Sequence, residues 1–261
     1  MSTNDELIYN VDAGIATVTL NRPHRKNALS TGLVDKLADA WKRIDDDDAV
    51  KVVILTSTDC GVFSAGMDLK EAAEIKKTTG KDVLSTLKDP FHQRMRDCKK
   101  PIIAAMTGHL IAGGMMLSLN SDLRVGLAKT RVGISEAKIG RGSPWAAPLV
   151  GMLPQPLIME LVLTGEQMAI ERFYDVGFIN YLEDTPDQVR AQANRLACII
   201  RDNAPLSVMA AKASIKATMN LGCDEGFKQA LALHEVVYAS EDGVEGPLSF
   251  AEKRKPVWKG R

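Results

Sequence analysis

Two stretches, Val52-Val53-Ile54-Leu55 and Ile102-Ile103-Ala104-Ala105, are apolar without alternation, and they restrict the fold more than any other feature of the chain. A strand with one wet face alternates. A strand apolar at every position is buried on both faces, as in a parallel sheet covered by helices. Between and around these runs the pattern alternates between short strands and helices. Ile15 to Leu20 alternates as a strand entered through the turn Asp12-Ala13-Gly14 and ended by Pro23. Ser30 is placed to cap a helix with Leu33, Leu37, Trp41 and Ile44 on one face, which Asp45 to Asp48 closes. Leu123-Arg124-Val125 is a shorter strand candidate. These alternations predict an α/β fold with parallel crossovers.

From about Pro154 the pattern becomes helical. Leu157 to Leu163, Val189 to Arg201, Leu206 to Met219 and Phe227 to Tyr238 carry the 3.6-residue period, and only Gly177 to Leu182 suggests another strand. No flexible linker separates the two parts.

Composition excludes several classes. At 261 residues the chain can bury a full core without disulfides or structural metal. Lysine plus arginine and aspartate plus glutamate are 33 each, so there is no basic excess to suggest a nucleic-acid partner. Cys60, Cys98, Cys198 and Cys223 are widely spaced and form no metal-binding pair, so reduced thiols are expected. The polar, acidic start reads as neither a secretory nor a transit signal. The longest near-apolar stretch, Leu110 to Leu119, is broken by Gly113, Gly114 and Ser118, so no membrane span is expected. The expected compartment is the cytoplasm.

There is no phosphate-binding loop, HExxH zinc motif, GxSxG elbow or GxGxxG turn. His24, His92, His109 and His234 show no ligand spacing. Among them His109 stands out, because it precedes a glycine pair. Two segments do carry a chemical signal. Val62 to Glu71 is a small-residue turn running into a helix, and Gly108 to Leu117 opens an apolar helix on Gly113-Gly114. Each exposes unpaired N–H groups where a helix begins, a setting that favours developing negative charge. Two such donors are what a thioester carbonyl needs when it becomes an enolate. Each segment also reads as a tight turn in which glycine permits close packing.

Taken together, Ser64 to Glu71, Gly108 to Asp122 and Val132 to Gly140 resemble the crotonase (enoyl-CoA hydratase/isomerase) superfamily in order and spacing. Asn21-Arg22-Pro23, Asn27-Ala28-Leu29, Leu163 to Glu166 and Pro247 to Arg254 extend the likeness over nearly the whole chain. The resemblance implies a spiral of repeated ββα units over residues 1–195. It also implies a C-terminal helical trimerisation region over 196–261, with trimers often paired into hexamers. By the same resemblance the N–H groups of Met67 and Gly113 form an oxyanion hole, with Gly114 beside them. Ala65, Asp68 and Leu69 then lie along coenzyme A, with Lys26 and Ala28 near its other polar groups. Phe250 and Lys253 match a helix that can touch the nucleotide, sometimes from a neighbouring subunit. Glu136 matches the second of the two hydratase glutamates. Coenzyme A is part of the substrate, so no separate cofactor and no metal are implied.

The chain departs from the family where the first glutamate belongs, for that position is Met116. Arg141 to Ala147 also replaces the usual Pro-Gly-x-Gly-Gly turn, placing Trp145 either in the acyl pocket or in the core. One carboxylate can move a double bond, whereas gripping a water is easiest with two, so the sequence leans to enoyl-CoA isomerisation. Two features pull towards hydration. Ala65 to Glu71 and Gly133 to Glu136 look like hydroxycinnamoyl-CoA hydratase-lyases, which hydrate with one glutamate. The tail from Glu245 is similar to that of carnitinyl-CoA dehydratases. A thioester hydrolase and a non-catalytic acyl-CoA-binding protein stay open.

Overall fold

The computed structural model describes residues 5–261; the first part of the polar start, Met1 to Asn4, lies outside them. Strands β1 (Leu7–Asp12) and β2 (Ile15–Leu20) form an antiparallel hairpin whose turn uses Ala13 and Gly14 at positive φ. Helix α1 (Thr31–Asp46) follows, capped by the Ser30 hydroxyl, which accepts the Leu33 N–H at 3.0 Å. Its Leu33, Leu37, Trp41 and Ile44 are buried, as their spacing requires.

Three similar units come next. The first is β3 (Val52–Ser57), β4 (Val62–Ser64) and α2 (Leu69–Thr79). A connecting segment carries the short helix α3 (Gln93–Asp97). The second unit is β5 (Ile102–Met106), β6 (His109–Ile111) and α4 (Gly113–Leu119). The third is β7 (Leu123–Leu127), β8 (Arg131–Gly133) and a single tight helical turn, Glu136–Ile139. In each unit the first strand joins a large sheet and the second joins a small one. The large sheet has the order β1-β2-β3-β5-β7 and the small one β4-β6-β8, each with one later strand beyond its last. The chain reaches those last strands through α5 (Gln155–Thr164), β9 (Met168–Ala169), α6 (Glu171–Asp175) and β10 (Tyr181–Glu183). Helices α7 (Pro186–Arg201), α8 (Pro205–Leu221), α9 (Cys223–Tyr238) and α10 (Glu241–Ala251) complete the fold.

Every residue of β3 and β5 is buried, and the two faces separate as strand geometry dictates. Val53, Leu55, Ile102 and Ala104 join the core under α1, while Val52, Ile54, Ile103 and Ala105 pack against Val189, Ala193 and Ala197 of α7. Helix α7 therefore covers the large sheet, and the 195/196 division falls inside it. Helix α8 is anchored to the sheet by Lys212, whose Nζ donates to Asp122 Oδ2 at 2.6 Å and the Lys100 carbonyl at 2.7 Å.

One local reading needs correction. The strand expected at Gly177 to Leu182 begins only at Tyr181. The N–H groups of Gly177, Phe178 and Ile179 instead close the end of α6 onto the Tyr174 and Phe173 carbonyls. The small sheet was not legible at all, because strands of two or three residues are too short to display a period.

Candidate active site

Because β4, β6 and β8 lie side by side in parallel, the segments that follow them emerge together. These are Ala65 to Leu69, Ala112 to Gly114 and Ser135 to Glu136. The C-terminal edge of parallel strands is the usual ligand position in α/β folds. Here it brings three equivalent points of three repeats to one place.

The first segment is held by pairing with residues 26–29. Ala65 N donates to the Lys26 carbonyl at 3.0 Å, Leu29 N to the Gly66 carbonyl at 2.7 Å, and Asp68 N to the Leu29 carbonyl at 3.0 Å. In such a bridge, centred on Leu29 and Met67, the N–H of the middle residue points away from its partner strand. Asn27, itself at positive φ, secures this arrangement: its amide donates to the Thr58 and Val62 carbonyls at 2.9 and 3.0 Å. The second segment abuts the first. A Cβ on Gly66, whose φ is +80°, would lie 2.7 Å from Ala112 Cβ and 2.8 Å from Gly113 N. Neither Met67 N nor Gly113 N has a hydrogen-bond acceptor among the described residues.

Met67 and Gly113 both line a cavity walled also by Val34, Leu87, Met116, Trp145 and Glu136. Met116 is buried and contributes an apolar part of that wall. Trp145 Nε1 donates to Glu136 Oε1 at 3.2 Å, while Oε2 is buried without a partner. Burial pushes the Glu136 pKa above the usual carboxylate value, against the opposing pull of its own backbone N–H and of Trp145. The other acids of the cavity wall are occupied. Asp68 caps α2 by accepting Glu71 N and pairs with Arg22 Nη2 at 3.1 Å. Burial pushes Asp68 up, but the Glu71 N–H and Arg22 guanidinium outweigh it and hold the carboxyl below its ordinary value. The Glu71 carboxylate accepts Thr31 N at 3.1 Å, tying α2 to the start of α1. At the rim, Arg141 clasps Asp82 through two hydrogen bonds, which brings the Asp82 pKa down to about 2.

The remaining expected residues divide. Ala65 and Leu69 border the cavity, Leu69 being 51% exposed at its mouth. Gly114 lies behind the wall, where a Cβ would come within 2.4 Å of the Ser64 carbonyl oxygen. Lys26 is exposed beside this site, and the buried Ala28 gives its carbonyl to Arg22 Nη1 at 2.7 Å. Phe250, 87% exposed on α10, and Lys253 just beyond it stand outside the cavity of this chain. His109, singled out for its position, accepts Arg131 N on Nδ1 at 2.8 Å and links β6 to β8. His92, which had no motif to recommend it, lines the cavity.

No helix among the described residues is long and apolar enough to cross a membrane. The enoyl-CoA hydratase/isomerase family model matches residues 10–261. An enoyl-CoA hydratase of Mycobacterium tuberculosis, EchA19, is 37% identical over 253 residues, covering 94% of this chain and 92% of the relative. A carnitinyl-CoA dehydratase of Salmonella typhi is 34% identical over 256 residues, 95% of each chain. Among solved structures, an enoyl-CoA hydratase of Bacillus anthracis superposes with a TM-score of 0.91 at 25% identity, covering 98% of this chain and 100% of that one. With a family match over nearly its whole length and these full-length relatives, the chain belongs to the enoyl-CoA hydratase/isomerase family of acyl-CoA-transforming enzymes.

Proposed function

We propose that the cavity binds an enoyl-CoA thioester with its carbonyl oxygen against the Met67 and Gly113 N–H groups. The pairing that turns the Met67 N–H away from Leu29, together with the close approach of Gly66 to Gly113, supports this oxyanion hole. Hydrogen bonds there stabilise the enolate more than the ground-state carbonyl, and one such donor is worth about 3–4 kcal/mol. The nucleotide would run along Ala65 to Leu69 past Lys26 and Ala28, with Phe250 and Lys253 supplied by a neighbouring subunit. Exposed Phe227, Leu231 and Phe250 on the outer helices support assembly as a trimer or hexamer. No separate cofactor is required, because coenzyme A arrives with the substrate.

Glu136 would be the proton shuttle. The observation that carries this reading is its unpartnered, buried Oε2 in a cavity whose other carboxylates are committed to caps and ion pairs. One carboxylate sharing its cavity with an apolar Met116 can take a proton from one carbon and return it to another, which is a double-bond shift. A hydratase reading is favoured by a different observation, the hydratase and dehydratase names of the relatives. A panel of enoyl-CoA esters, followed for hydration, double-bond shift and thioester hydrolysis with mass analysis of products, separates these. Hydration alone would remove the isomerase reading, and absence of turnover with every ester would remove both.

A further inference from the structure

One titratable group in the cavity has no part in the chemistry above. His92 is 1% exposed, and neither Nδ1 nor Nε2 has a hydrogen-bond partner. Buried polar groups in folded proteins are almost always paired, and an apolar ring of the same size would fill this space without penalty. The ring is also held firmly. His92 has a left-handed backbone, with φ 51° and ψ 42°, at the start of α3. Its N–H donates to the Asp89 carbonyl at 3.2 Å, and the two Asp89 carboxylate oxygens accept Gln93 N and Arg94 N at 2.7 and 3.0 Å. Asp89 thus fixes the turn and has both oxygens engaged by it. Burial drives the His92 pKa down to about 4, so at neutral pH the imidazole is uncharged, with one donor and one acceptor nitrogen.

The segment carrying His92 belongs to none of the three repeat ends. With Val83, Leu87 and Phe91 it lines the same cavity, so it would border the acyl chain of a thioester seated on the proposed oxyanion hole. We infer that His92 is a specificity residue whose imidazole pairs with a hydroxyl group on the acyl chain, beyond the reacting carbons. This rests on the acyl-CoA reading of the cavity given above. A hydroxyl suits whichever nitrogen it meets, because it both donates and accepts. A carboxylate only accepts, and its charge would be buried among apolar side chains with a single N–H to compensate it.

The test compares hept-2-enoyl-CoA with its 5-, 6- and 7-hydroxy derivatives, reading binding by calorimetry and kcat and KM by turnover. At least one hydroxy ester is expected to exceed the parent in kcat/KM by about 10- to 100-fold, the discrimination produced when a buried polar group is left unpaired. In His92→Phe the ratio should fall to about one. His92→Asn, which keeps a donor and an acceptor and tolerates a left-handed backbone, should retain part of it. Equal values for all four esters in the wild type would overturn the inference while leaving the acyl-CoA reading intact. So would a preference that survives His92→Phe; should that variant not fold, a preference in His92→Asn equal to that of the wild type would overturn the inference as well, and a reduced one supports it. Absence of binding by every ester would overturn the acyl-CoA reading itself, and this inference with it.

Discussion

Replacing Glu136 by glutamine keeps the shape of the side chain and its contact with Trp145, since the amide oxygen can accept the Nε1 hydrogen in place of Oε1. What is lost is the capacity to carry a proton. General acid–base catalysis by one placed group contributes about 10²- to 10⁴-fold. Here the upper part of that range is expected, because Asp68 is paired with Arg22 and Glu71 with Thr31, so no carboxylate stands ready as a substitute. A fall in kcat of about 10³- to 10⁴-fold corresponds to roughly 4–5.5 kcal/mol of lost transition-state stabilisation. Stability should move the other way. Burial raises the Glu136 pKa in the folded protein above its ordinary 4.5, so folding favours the protonated form. That contribution is fully present below the unfolded value and is lost as pH rises through the folded one. Relative to the wild type, Glu136→Gln should therefore melt at the same temperature or higher as pH rises, the advantage fading in acid. The assay is steady-state turnover on the best ester, with calorimetric affinity and thermal melts at pH 4 and 7. A variant that keeps more than about a tenth of wild-type kcat would refute the shuttle. A variant that loses stability and affinity together would mark Glu136 as structural.

Trp145→Phe removes a hydrogen bond that lowers the Glu136 pKa, so the acid limb of the pH–rate profile should shift to higher pH; an unmoved limb would show that the contact is not made in solution. Gly66→Ala should destabilise the fold by about 1–3 kcal/mol, the typical penalty of overpacking, and reduce kcat more than substrate affinity, read by melts and kinetics. Met116→Glu should raise hydration relative to double-bond shift while lowering the melting temperature, because a second carboxylate is placed in an apolar wall. Sedimentation should show trimers or hexamers at micromolar concentration, and a monomer would count against the assembly.

The large sheet was legible because it is written in redundancy. Val52 to Leu55 and Ile102 to Ala105 repeat one message over four residues each, and α1 repeats its own over four turns. The cavity was only partly legible. Met67, Gly113 and Glu136 were named by the resemblance of their segments to the family; the residue pattern alone offered only two small-residue turns, each leading into a helix. Gly114 could not be separated from Gly113 by composition; only the Ser64 carbonyl behind it shows that its missing side chain serves packing. Asp68 stands in sequence at a helix start, where it does cap α2, but its pairing with Arg22, 46 residues away, emerges only in three dimensions. His92 carried no signal, because its place in the cavity comes from a left-handed turn that no spacing announces.

The bridge between Leu29 and Met67 has a further consequence for how the chain can drift. The N–H of residue 67 is aimed by main-chain pairing on either side of it, so its direction is indifferent to which side chain follows. Among variants selected for turnover, position 67 should accept many replacements, while Gly66, which has no room for a single extra carbon, accepts none freely. The hydrogen that the proposed oxyanion hole depends on is then invisible to ordinary mutagenesis. Exchanging the amide at Met67 for an ester, by chemical synthesis of the segment, deletes that one hydrogen and leaves every side chain in place.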